Sequence, residues 1–192
     1  MKREGAVFLD RDGTINEEAG YLDSLAKLTL LPKAFAAIEK INKSGMKAVV
    51  VTNQSGVARG YFSAEFVCDV HKRLQEILGE GGARIDAFYY CPHHPTEGRD
   101  DYRKLCNCRK PGTGMLLQAA QDLNIDLRLS YLIGDTIKDI ETALRAGAKG
   151  VLVRTGYGQE AEREFASTAV RPDHVADDIL AAVHWIMQDR KQ

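Results

Sequence analysis

The stretch AVFLDRDGTINEE, residues 6–18, decides how the rest of the chain is read. Its first four residues are apolar without polar alternation, which predicts a fully buried strand over Ala6–Leu9. The run stops at Asp10, and Asp12 follows with one residue between. Carboxylates at the edge of a core are costly unless they are partnered or used. A turn or a metal site would each explain two such aspartates, and the other strand ends discriminate between them.

The pattern downstream predicts a helix over 32–44 opened by Pro32 and closed by Gly45, then a strand over 47–51. A helix over 64–78 follows Ser63, and a strand over 85–90 leads into a Pro- and Cys-containing loop over 91–111. Further helices are predicted over 114–123, 137–146 and 178–188, with strands over 129–133 and 150–153. Short apolar strands alternating with helices give an α/β fold. It has three layers, with a mostly parallel sheet covered by helices on both faces.

The 192 residues suit a single domain spanning 1–192. Hydrophobic residues make up 44%, charged residues 28%, and the formal net charge is −1. That balance gives no general attraction to nucleic acid or to an anionic membrane. No run approaches the ~20 apolar residues of a membrane span. The basic start MKREG meets Asp10 too soon for a secretory signal. The expectation is a cytoplasmic protein, monomeric by default, whose four cysteines need a role other than disulfides.

In parallel sheets, ligands bind beyond the C-terminal strand ends. Asp10, Asp12 and Gly13 follow the first strand. Thr52, Asn53, Gln54, Ser55 and Gly56 follow the second. Gly134, Asp135, Thr136 and Asp139 follow the strand at 129–133. Three aspartates from separate loops repel one another unless a cation lies among them, and oxygen ligands suit magnesium. Asp10 and Asp135 are the expected carboxylate ligands, with Asp139 binding directly or through water. Asp10, fixed by the sheet, suits attack on phosphorus, and Asp12 suits a general acid that later acts as base. Thr52 and Asn53 suit a phosphate cradle. Lys110 offers a positive charge, and Arg109 offers a planar fork for a second phosphate or a sugar.

The loop holds C-x-H at Cys91 and His93 and C-x-C at Cys106 and Cys108, two matched bites that suit tetrahedral zinc. His94 competes with His93, which is preferred for its matched spacing. Four protein ligands leave no open position, so this zinc is expected to be structural, stapling the loop over 91–108 beside Arg109 and Lys110. Cys68 is expected to be core or semi-buried. His71, His174, His184 and Trp185 need no catalytic role.

Five segments together resemble the haloacid-dehalogenase-like phosphatases: FLDRDGT, VVVTNQSGVARGYF, YYCPHHP, CNCRKPGTGMLL and LIGDTIKDI. The likeness runs over about residues 6–155, and the zinc loop joined to CRKP is similar to that of a small branch of the family. The resemblance implies a HAD-like sheet without a large cap domain, with the EEAGYLD stretch and the zinc loop shaping access. It implies Asp10 as nucleophile and Asp12 as acid and base. Magnesium would be held by Asp10, Asp135 and the backbone carbonyl of Asp12. Thr52 and Lys110 match phosphate-stabilising positions, and Asn53, Arg59 and Arg109 match substrate contacts. Cys91, His93, Cys106 and Cys108 match the zinc ligands. The implied substrate is a sugar bisphosphate, a heptose 1,7-bisphosphate losing its 7-phosphate, with histidinol phosphate as the alternative.

Overall fold

In the computed structural model, which describes residues 4–191, six strands form one parallel sheet. They are β1 (Ala6–Leu9), β2 (Lys47–Asn53), β3 (Ala87–Cys91), β4 (Tyr131–Gly134), β5 (Lys149–Val153) and β6 (His174–Ala176). The spatial order is β3-β2-β1-β4-β5-β6, with all neighbours parallel. The chain builds outward from β1 on one side, then returns to start the other side at β4. β1 and β4 therefore flank the point where the order reverses, the usual place for a ligand crevice in such sheets.

Among the described residues there are seven α-helices: α1 (Ala34–Lys43), α2 (Gly56–Arg59), α3 (Ala64–Glu80), α4 (Gly114–Asp122), α5 (Ile137–Ala146), α6 (Gly158–Glu164) and α7 (Ile179–Asp189). Side chains alternate along each strand and feed two cores. Val7, Leu9, Val50 and Ile133 pack with Ile38, Ile41, Leu74 and Ile186 from α1, α3 and α7. Ala6, Phe8, Val49, Val51 and Leu132 pack with Met115, Leu116 and Ala143 from α4 and α5. Leu152, Ile140, Ala161 and Phe165 join α6 to the second face. Burying each large apolar side chain stabilises by about 1.5–3 kcal/mol, so β1, buried on both faces, is firmly placed.

Several element ends differ from the sequence reading. Pro32 lies outside α1, because Lys33 takes a left-handed conformation at the cap (φ 69°) and the helix starts at Ala34. The strand expected over 129–133 starts at Tyr131, since Leu127–Leu129 closes a 3-10 turn. The short α2, α6 and β6 give too few residues for a periodic signal. Cys68, expected to be core or semi-buried, is exposed on α3, and no thiol chemistry is assigned to it. Trp185 is a packing residue, stacked on His174 and edge-on to Tyr131. Among the described residues no helix is long and apolar enough to cross a membrane. No second sheet or helical layer caps the C-terminal strand ends among them either.

Candidate active site

The loops after β1, β2 and β4 meet at one cavity of about 320 Å³. Asp10, Asp12, Thr52, Asn53, Arg109, Lys110, Asp135 and Asp139 all line it, as the strand-end rule requires. Arg59 does not. It lies on the zinc-loop side, paired with Glu97 and within 3.2 Å of His94.

Asp10 is placed by the sheet itself, because its N–H donates to the Ile133 carbonyl at 2.9 Å and extends the ladder one residue past β1. Asp135 is gripped from three sides. The Tyr157 N–H donates to its Oδ2 at 2.9 Å, and a Cβ on either Gly13 or Gly156 would overlap that carboxylate. Both glycines hold positive φ (78° and 55°), so the close approach and the backbone shape both require glycine. Asp139 is fully buried at the start of α5. Its Oδ2 accepts from the Thr136 hydroxyl (2.5 Å) and N–H (3.1 Å), which closes the helix N-terminus. Its Oδ1 accepts from Lys110 Nζ at 2.5 Å.

Lys110 is the buried cation at the centre. Its ammonium donates to Asp10 (2.7 Å), Asp139 (2.5 Å) and the Val51 carbonyl (2.9 Å). Burial disfavours its charge, but Asp10 and Asp139 outweigh burial and raise its pKa. Asn53 holds the Lys110 backbone, donating to its carbonyl at 3.1 Å and accepting its N–H at 3.0 Å. Its side chain thus positions Lys110 as well as facing the cavity.

One lysine among three carboxylates leaves the cluster short of positive charge. Burial, with the charges of Asp139 and Asp12, pushes the Asp10 carboxyl up to about 7 despite Lys110. Burial and the charges of Asp10 and Asp139 push Asp135 up to about 8. Oxygens of Asp10, Asp135 and Asp139 lie within 4.8 Å of one another. Such a set of hard oxygen donors fits a divalent cation such as magnesium, which would relieve the repulsion.

Asp12 has a different environment. Arg11, almost fully buried, donates to it from Nε and Nη2 at 2.9–3.1 Å. Asn16 and Gln54 donate at 2.9 Å each, and Gln54 also donates to the Thr52 hydroxyl at 2.9 Å. Burial opposes the Asp12 charge. The Arg11 guanidinium and these hydrogen bonds prevail and hold its pKa below the usual range. Sequence reasoning assigns no role to Arg11, Asn16 or Gln54. For Gln54 the signal exists, since it lies two residues after Thr52 at a strand end. The Gly156–Tyr157 loop after β5 also escapes it, although the same rule points there.

The thiol cluster forms as the spacing predicts. Cys91 Sγ lies 3.2 Å from Cys108 and 3.6 Å from Cys106, and His93 Nδ1 lies 3.3 Å from Cys108 and 3.6 Å from Cys91. Tetrahedral zinc with sulfur at ~2.3 Å would set sulfurs about 3.8 Å apart, close to these separations. Shared hydrogen bonds split the thiols. The Cys108 contact, with burial, raises Cys91, while bonds from Cys91, Cys106 and His93 lower Cys108 to about 5 against the cost of burial. A thiolate ready at neutral pH fits a soft metal ligand. His94 lies outside the cluster, its Nδ1 accepting the Glu97 N–H at 2.9 Å. Arg109 Nη1 donates to the His93 carbonyl at 3.1 Å, which ties the cavity rim to this loop.

The HAD-hydrolase-like family model matches residues 107–182. A D-glycero-D-manno-heptose-1,7-bisphosphate 7-phosphatase of Thermosynechococcus vestitus is 44% identical over 94% of this chain and 94% of its own length. A D-glycero-beta-D-manno-heptose-1,7-bisphosphate 7-phosphatase of Photorhabdus laumondii is 42% identical over 86% of this chain and 88% of its own. Among solved structures, D,D-heptose 1,7-bisphosphate phosphatase from B. bronchiseptica, complexed with magnesium and phosphate, superposes with a TM-score of 0.84. It is 30% identical and is matched over 96% of this chain and 99% of that one. The chain belongs to the haloacid-dehalogenase-like hydrolases, within the family of D-glycero-D-manno-heptose-1,7-bisphosphate 7-phosphatases.

Proposed function

We propose that this chain, as one phosphatase domain over 1–192, hydrolyses the 7-phosphate of D-glycero-D-manno-heptose 1,7-bisphosphate to release heptose 1-phosphate. One observation carries the reading: Asp10 stands where the strand order reverses, 2.7 Å from the Lys110 ammonium, in the cavity that also holds Asp12. The names of the relatives supply the substrate.

An Asp10 oxygen attacks phosphorus, forming an acyl phosphate as the bond from phosphorus to the sugar oxygen breaks. The departing oxygen takes a proton from Asp12. Water then attacks phosphorus, gives its proton to Asp12, and frees Asp10 and phosphate. The clamp on Asp12 favours its ionised form, which suits the second step. For the first, the negative phosphate arriving beside it supplies the opposing charge that raises its affinity for a proton. Lys110 keeps Asp10 oriented and offers charge to the phosphoryl oxygens, with the Thr52 hydroxyl beside it. Asp10, Asp135 and the Asp12 backbone carbonyl are the proposed magnesium ligands. Asp139, already bonded through both oxygens, acts by holding Lys110, and would serve the metal directly or through water. Magnesium, when bound, offsets the carboxylate repulsion and polarises the phosphoryl group.

Zinc in the Cys91, His93, Cys106 and Cys108 cluster is assigned a structural role, holding Arg109 and Lys110 over the cavity. Three reduced thiols suit a cytoplasmic setting. All proposed roles are filled from one chain, which supports a monomer. Phosphate release with magnesium is to be compared for the α and β anomers of heptose 1,7-bisphosphate and for histidinol phosphate. Preference for a heptose bisphosphate is expected. Preference for histidinol phosphate would overturn the substrate and leave the mechanism standing.

A further inference from the structure

The cations around the cavity are unequally employed. Lys110 is buried and fully committed to Asp10, Asp139 and the Val51 carbonyl. Arg109 is anchored by one bond to the His93 carbonyl, and its remaining donors are free to turn to the cavity. Arg59 is paired with Glu97 and does not line the cavity. Lys138 is different. It is exposed and lines the cavity from the first turn of α5, three residues after Asp135. Among the described residues its ammonium has neither an acidic partner nor a hydrogen bond.

A bisphosphate brings two multiply charged anions into a cavity whose floor carries three carboxylates. One phosphate would meet Lys110 at the floor, where a bound magnesium would add further positive charge. The other is repelled unless the rim is cationic. We infer that Lys138 is a specificity-determining residue, receiving with Arg109 the phosphate remote from Asp10 and so selecting bisphosphorylated over monophosphorylated sugars. This inference rests on the phosphatase reading above. A lysine suits the task because its ammonium swings on a long stem and can follow a flexible substrate, while Arg109 supplies the fixed fork.

The test compares heptose 1,7-bisphosphate with heptose 7-phosphate in the wild type, Lys138→Met and Lys138→Arg. Lys138→Met is expected to raise KM for the bisphosphate about tenfold, equivalent to about 1.4 kcal/mol, with the loss in KM rather than kcat. The ratio of kcat/KM between the two substrates then falls by the same factor, and Lys138→Arg restores most of it. Added salt should erode the wild-type preference more than that of Lys138→Met, because an exposed contact is screened. An equal loss on both substrates, or an unchanged ratio, overturns the role of Lys138 alone. Wild-type protein that fails to turn over the bisphosphate, or shows no preference for it, overturns the substrate reading and this inference together.

Discussion

The molecule carries two clusters of metal-competent side chains, and they are held in opposite ways. Asp10 and Asp135 extend directly from paired strands, β1 and β4, whose register the core fixes. Their positions are set by the fold, and their difficulty is electrostatic: three carboxylates with one lysine. In the thiol cluster only Cys91 belongs to a strand. His93, Cys106 and Cys108 lie on irregular chain with few backbone hydrogen bonds to the rest of the protein. Its difficulty is geometric. On the proposed assignment, a metal at the first cluster would supply charge, and a metal at the second would supply shape. Removing magnesium should abolish turnover with the fold intact. Removing zinc should loosen the loop and, through Arg109 and Lys110, degrade a site that otherwise keeps its carboxylates.

The sharpest break in this comparison is Asp10→Asn. An amide is a poor nucleophile, so phosphate release should fall by at least ~10⁴-fold. The melting temperature of the metal-free protein should hold or rise, because one of the mutually repelling charges is gone. A large loss of stability would show that Asp10 serves the fold more than the chemistry. Gly13→Ala comes next. The added Cβ would displace the Asp135 carboxylate and strain a turn at φ 78°, and a displacement of about 1 Å at a reacting centre can cost ~10²-fold in rate. Normal activity and magnesium affinity in that variant would mean that Asp135 needs no such grip.

Cys108→Ser tests the other cluster. Zinc content by metal analysis should fall below one per chain, and the melting temperature should drop by about 10 °C if some 3 kcal/mol of metal-linked stability is lost. Turnover should fall less than in Gly13→Ala. Retained stoichiometric zinc would refute this ligand set.

The smallest effect is a pH dependence. Asp10 and Asp135, raised to about 7 and about 8, keep protons in the folded protein that the unfolded chain releases near pH ~4. From these two groups the metal-free protein loses stability as pH rises from about 4 toward 8. Magnesium should thus raise the melting temperature little at pH 5 and by several degrees at pH 8. A gain equal at both pH values would remove the repulsion argument.

The sheet was legible because buried parallel strands are short apolar runs, and β1 and α5 match their expected limits. The three acidic or polar strand ends were legible for the same reason, since a strand whose position is known also places the residues just beyond its end. The thiol cluster was readable from spacing alone. The partnering of side chains distant in sequence remained hidden. Nothing local says that Gln54 will join Asp12 to Thr52, or that Lys110 will bridge Asp10 and Asp139. The placement of Arg59 beside Glu97 and His94 depends on the path of the zinc loop, which has no periodic signal.

The central claim is that Asp10 carries the phosphoryl group. It is tested most directly by mixing the Asp12→Asn variant with heptose 1,7-bisphosphate and magnesium, quenching in acid within one turnover, and mapping the protein by mass spectrometry. Loss of the base should slow breakdown of the acyl phosphate, so a phosphoryl group should be found on the peptide bearing Asp10. Phosphate released at the wild-type rate, with Asp10 unmodified throughout, would contradict the account.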